Sequence, residues 1–163
     1  MTAYLYRMPS GIPGDVTRQS QSTIEAQLLN SALPFPGYGL PGKIASGAFV
    51  PIAGGDTAAS VYGFLVRPYP TEGANASDPL GTGVPATSGA ANILKRGYIN
   101  VKVNAGTASL GSAVYIRVAT PSGAKVIGGI EAASDTTNTI QITGAYFTGA
   151  ADASGNAEVA FNL

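Results

Sequence analysis

The stretch LKRGYINVKVNAGTASLGSAVYIRV, residues 94–118, decides the fold. From Gly97 its residues alternate: Ile99, Val101 and Val103 fall on one side, Tyr98, Asn100, Lys102 and Asn104 on the other. A period of two marks a strand with one buried face. After a connector of small residues, 105–112, the alternation resumes, with Val114, Ile116 and Val118 opposed to Ala113, Tyr115, Arg117 and Ala119. The two runs are expected to pair as a hairpin with a dry face of six β-branched aliphatic side chains. Each is worth roughly 1.5–3 kcal/mol when fully buried, so this face is the expected centre of the core. Lys102 and Arg117 are expected to keep the opposite face in water or against a partner.

The prolines divide the rest of the chain. Ten of the eleven lie between Pro9 and Pro85, which makes the first half extended and interrupted and leaves the second half for regular strands. Residues 1–22 set Tyr4, Tyr6 and Met8 in alternation before Pro9, Gly11, Pro13 and Gly14, the pattern of an extended arm that adds as an edge strand or lies across a partner. In residues 23–29, Ser22 or Thr23 could cap a short helix, but the alternation of Ile24, Ala26 and Leu28 favours a strand with those three inward. Residues 34–42 form a Gly/Pro-rich loop. Strands are expected at 43–52 and 60–67, stopped by Pro51 and by Pro68 and Pro70, and a long polar loop at 71–92. Further strands fall at 124–130, 139–147 and 158–161. The chain therefore reads as all-β: a single antiparallel β-barrel or jelly-roll-like sandwich over residues 23–163, with an extended N-terminal arm over residues 1–22.

Composition narrows the function. Charged residues make up 11% of the chain, against about 25% in an average soluble domain, so the surface is built mainly from Ser, Thr, Asn, Gln and backbone. Such a surface suits permanent contact with other protein. Nine basic and nine acidic residues cancel, which leaves no electrostatic footprint for nucleic acid or anionic lipid. The absence of cysteine and histidine removes disulfides, thiolate metal sites, the usual general base and the commonest zinc ligand. MTAYLYRMPSG has no apolar core or cleavage site of a signal peptide, and no stretch approaches a membrane span.

Motifs that imitate catalysis read as turns. Residues 37–42 fit G-x-G-x-x-G and residues 81–86 its alanine variant, but neither follows a strand and opens a helix, as a dinucleotide loop must. Ser122-Gly-Ala-Lys125 fits S-x-x-K without the helical turn that would bring the lysine onto the serine. Asn75-Ala-Ser77 matches a glycosylation acceptor and reads as chance without a secretion signal. The carboxylates, from Asp15 to Glu158, are scattered singly with no calcium loop among them, and read as solvated turn acids and N-caps. No catalytic residue, cofactor or metal site is expected.

Three segments resemble the structural cement, or head decoration, proteins of tailed bacteriophages. They are Tyr38-Gly39-Leu-Pro41 leading into Lys43-Ile44, Tyr62-Gly63-Phe-Leu-Val-Arg67-Pro68-Tyr69-Pro70-Thr71, and Arg96-Gly97-Tyr-Ile-Asn-Val leading to Leu110-Gly111-Ser112-Ala-Val114-Tyr115-Ile-Arg117. The resemblance implies a small non-enzymatic β domain on the outside of the head, made in the bacterial cytoplasm, which clamps neighbouring copies of the major capsid protein. It implies a homo-oligomer, dimer or trimer, without nucleic acid or membrane partners. Tyr4, Tyr6, Arg7, Met8 and Arg18 are the expected interface residues, since aromatic, methionine and arginine side chains favour interface cores. The competing reading is a tail-fibre or carbohydrate-binding β-sandwich that uses the 71–92 loop and exposed tyrosines.

Overall fold

The computed structural model describes residues 11–68 and 83–163. Among these, every element longer than one turn is a strand: β1 Thr23–Leu29, β2 Pro41–Ala45, β3 Ala48–Pro51, β4 Gly63–Leu65, β5 Gly89–Ala105, β6 Ala113–Arg117, β7 Ile130–Glu131, β8 Thr139–Phe147 and β9 Asn156–Phe161. All belong to one large sheet in the order β1-β3-β2-β4-β5-β7-β6-β8-β9. The pairing is mostly antiparallel, with parallel contacts between β1 and β3 and between β5 and β7.

β5 is long enough to serve two groups of strands. Its first half pairs with β1 and β4, and its second half with β9 and, at its end, β7. Because β1 also meets β3 and β9 also meets β8, the pairings of each half return to β5. The second half holds the larger core, in which Ile99, Val101, Val114, Ile116 and Val118 are buried as the alternation predicts, with Val103 partly covered. A smaller core of Phe35, Phe49, Leu65 and Ile93 fills the first half, where the rings of Phe35 and Phe49 stack at 5.0 Å.

The expected hairpin is not formed. β7 lies between β5 and β6, parallel to the first and antiparallel to the second. The connector does not close a tight turn: it is held to the end of β8, where Gly111 N–H donates to the Phe147 carbonyl and Phe147 N–H to that of Ser112. That spacing leaves room for one more strand, and Ile130 completes the dry face.

Other boundaries moved for local reasons. The strand expected at 43–52 is the hairpin β2–β3, turned at Ser46 and Gly47, whose φ values of 50° and 77° are both positive, as a two-residue type I′ turn requires. A 3₁₀ turn, Ala58–Ser60, precedes β4 and shortens the strand expected at 60–67. β5 begins at Gly89, inside the expected 71–92 loop, of which residues 71–82 lie outside the described residues. At 124–130 there is only a Ser122–Lys125 bridge before the two-residue β7; this bridge is the turn expected of the S-x-x-K match. The strand at 139–147 is β8 as expected, and that at 158–161 extends back to Asn156.

The described part of the N-terminal segment is built into the body. Gly14 N–H donates to the Asn100 carbonyl, Asn100 N–H to Asp15, and Thr17 N–H to Tyr98, so residues 14–17 pair along the second half of β5. After a 3₁₀ turn at Gln19–Gln21 the chain becomes β1 and pairs with the first half of β5. It packs against β5 at Gly97, where a Cβ would stand 2.7 Å from the Ser22 Cα and where φ is +130°. Only glycine accommodates both the close approach and that backbone angle.

Candidate interaction surface

β1 is a strand, but it faces the opposite way from the sequence expectation. Ile24, Ala26 and Leu28 are exposed, at 41% for Ile24 and 61% for Leu28, while Gln27 and Leu29 are partly covered. The inner face is made tenable by hydrogen bonds: the Tyr62 hydroxyl donates to Glu25 Oε2 at 2.7 Å and accepts from Gln27 Nε2 at 3.2 Å. The carboxylate of Glu25, followed by burial, pushes the Tyr62 phenol above its usual pKa. Lys95 lies over the Tyr62 ring at 3.2 Å and donates to its carbonyl at 2.7 Å.

The outer edge of β1 is open as well as apolar. The Asn92 carbonyl accepts from Val66 N–H at 2.9 Å, on the β4 side of β5. Backbone groups alternate direction along an antiparallel ladder, so β5 turns Ile93 and Ala91 toward β1, opposite Glu25 and Gln27. The N–H and C=O groups of Ile24 and Ala26 therefore point away from β5. β3 meets β1 only at Leu29, opposite Phe49, and among the described residues no backbone group bonds to the outward side of Ile24 or Ala26. Native sheets usually protect such an edge with charge, proline or a covering loop; the charge on β1, Glu25, is bound to Tyr62.

Between Ile24 and the N-terminal segment runs a groove lined by Asp15, Val16, Thr17, Ile24, Arg67 and Asn92. Arg67 anchors its far wall, donating from Nε to the Pro13 carbonyl at 2.9 Å and from Nη1 to that of Gly83 at 3.4 Å, with its guanidinium 4.5 Å from the Tyr38 ring centre. Burial lowers the Arg67 pKa and raises that of Tyr38, each opposed in part by the charge of its neighbours. The pair binds three loops together. No group of three metal-ligating side chains occurs among the described residues.

Of the interface residues named from sequence, Tyr4, Tyr6, Arg7 and Met8 lie outside the described residues. Arg18 is engaged within its own chain: Nη2 meets Glu158 Oε1 at 2.8 Å and the guanidinium lies 3.9 Å from the Tyr98 ring centre. Burial alone would raise the Glu158 pKa, but hydrogen bonds from Thr148, Thr17 and Arg18 outweigh it and hold it low.

Arg117 overturns a second expectation. It does point away from the dry face, yet it is 1% exposed, because residues 119–138 fold over it. Its Nε and Nη2 meet the two oxygens of Glu131 at 2.5 and 3.0 Å, Nη2 reaches Asp135 at 2.6 Å, and Nη1 donates to the carbonyls of Ala119 and Thr120. Glu131 is likewise 1% exposed, so two of the scattered acids form one ion-pair cluster. Nothing in their spacing from Arg117 announces it.

A family model described as XM1 gp53 minor capsid protein matches residues 1–161. The chain belongs to that family. Among solved structures, a chain in the capsid of Myoviridae phage XM1 shares the fold with a TM-score of 0.71, at 21% identity, over 98% of this chain and 95% of that one. No curated protein sequence matches. The XM1 gp53 family is a phage capsid-associated one, in agreement with the resemblance drawn from residues 23–118.

Proposed function

We propose that this minor capsid family member is a cement protein: it binds the outer surface of the phage head, bridges neighbouring copies of the major capsid protein and stabilises the expanded shell. Family membership supports a structural role in the virion. The observation that carries the finer reading is the open β1 edge with its exposed apolar face, on a molecule whose charged residues are only 11% of the chain. A protein that binds only the assembled lattice stabilises it through the free energy of binding, and contacts too weak to hold one copy add up when many copies are linked through the shell. The role is mechanical and needs no catalysis. Tyr4, Tyr6, Arg7 and Met8 belong to the contact surface in this reading, and copies associate with one another on the shell.

The test is binding to heads. Purified protein mixed with expanded heads should co-sediment at a fixed stoichiometry and raise the temperature at which the heads release DNA. Protein that stays in the supernatant at every concentration refutes the cement role, and binding to glycans in its place would favour the carbohydrate-recognition alternative.

A further inference from the structure

We propose that Arg96 anchors a docking site for an acidic side chain of a neighbouring head protein. The inference rests on the cement reading above and names one contact of it.

The chain spends its few charges on itself. Among the described residues, Arg18 pairs with Glu158, Lys43 with Asp56, Arg117 with Glu131 and Asp135, and Lys125 with Asp135. Arg67, Lys95 and Lys102 donate to the carbonyls of Pro13, Tyr62 and Ser154. Arg96 is the one cation among the described residues whose side chain makes no hydrogen bond, ion pair or ring contact, and it is exposed. In a chain with so little charge, a cation held in reserve is a feature of the surface.

Its surroundings make it a site. Arg96 lines a shallow concavity of about 440 Å³ with Ser20, Gln21, Tyr98 and Leu163, within the range of about 300–1,000 Å³ usual for ligand pockets. The Tyr98 ring is steadied by the Arg18 guanidinium at 3.9 Å, and that charge is already answered by Glu158 at 2.8 Å. No aspartate or glutamate lines the concavity, so the charge of Arg96 is left for an incoming group. A guanidinium is a planar fork that matches a carboxylate with two parallel hydrogen bonds. Arginine and tyrosine are also the side chains on which interface energies most often depend.

The same accounting says where the carboxylate comes from. Among the described residues, Glu25, Asp56, Glu131, Asp135 and Glu158 are bonded to Tyr62, Lys43, Arg117 and Arg18. Asp15 and Asp152 accept backbone N–H groups of their own turns. A second copy could offer one of these only by breaking a bond of its own, whereas a different protein bears no such cost.

Arg96→Gln removes the charge and no contact within the chain. It should leave the thermal melt unchanged and weaken co-sedimentation with expanded heads at least about tenfold, and the affinity of the parent should fall more steeply with salt than that of the variant. Arg96→Lys keeps the charge; treated with a carbodiimide on the heads, it should give, by mass spectrometry, an amide link from position 96 to an aspartate or glutamate of a head protein. A link to a carboxylate of this chain, in the same or a second copy and with Glu72 and Asp78 included, overturns the proposal, as does no link at all. Arg96→Gln binding heads as the parent does refutes this inference and leaves the cement role standing; a parent that does not bind heads refutes the cement role and this contact with it.

Discussion

Replacing Glu131 by alanine should destabilise the protein more than any other removal of a single charge. Arg117 and Glu131 are each 1% exposed, and the substitution deletes both oxygens that meet Nε and Nη2 at 2.5 and 3.0 Å. The guanidinium stays buried with Asp135 and the carbonyls of Ala119 and Thr120 as its remaining acceptors. Breaking a buried pair on one side costs about 3–5 kcal/mol, a large part of a total margin of roughly 5–15 kcal/mol. At about 2–4 °C per kcal/mol for a domain of this size, the melting temperature should fall by roughly 6–20 °C. Arg117→Met with Glu131→Leu removes both charges and keeps the volume; it should recover most of that loss, because the desolvation penalty leaves with the pair. Thermal and urea melts followed by circular dichroism measure both variants. A Glu131→Ala protein within about 1 kcal/mol of the parent would mean that the guanidinium is solvated, and a double variant no better than the single one would mean that the pair sets the path of residues 119–138 instead of merely neutralising a charge.

Acid should act on the carboxylates that hold a folded-state pKa below the unfolded one. Asp135 is lowered to about 2 by hydrogen bonds from Arg117, Asn138 and Lys125; Asp56 is held low because bonds from Lys43 and Ala53 N–H outweigh burial, and Glu158 behaves alike. A depressed pKa contributes stability that is complete above the unfolded value and lost as pH falls through the folded one, so melts should be flat near neutrality and decline between about pH 4 and 2; Asp135→Asn should flatten part of that decline. Gly97→Ala should fold poorly or lose several kcal/mol, on the order of 3, since its Cβ would strike Ser22 at a φ of +130°; an unchanged melt would disprove that close approach. Val101→Asp places a carboxylate at a fully buried position and should leave no cooperative transition by calorimetry. Deleting residues 1–22 removes the segment paired along β5 and the Arg18–Glu158 contact and should lower the melting temperature, whereas deleting residues 1–8 should not.

Periodicity made the strands legible and left their neighbours obscure. The alternation at Ile99, Val101, Val114, Ile116 and Val118 reports burial because each face of a strand meets one environment. It carries no information about which strand lies alongside, and a two-residue strand such as β7 has no period to detect. Ser46-Gly47 was readable as a turn only through its backbone, since the positive φ of Ser46 has no compositional mark. Arg117 was assigned to the correct face, but the cover supplied by residues 119–138 is a tertiary fact. The interface residues divide in the same way: Arg18 is spent on Glu158 and Tyr98, while the apolar row of β1 was seen and given the wrong side.

That inversion is physically informative. A shift of one residue in the β1 register would turn Ile24, Ala26 and Leu28 to the side now held by the partly covered Gln27 and Leu29. The observed register forgoes that burial, and two features fix it: the packing of Ser22 on Gly97, and the Tyr62 hydroxyl, which is placed to serve both Glu25 and Gln27. About half of Ile24 and Leu28 therefore remains to be covered. At roughly 1.5–3 kcal/mol for full burial of each, their covering would contribute about 1.5–3 kcal/mol, or about ten- to a hundredfold in an equilibrium constant. That is too little to hold two isolated molecules together by itself. It becomes decisive only where a partner is already held nearby at high local concentration, which is the condition that the proposed cement role would supply.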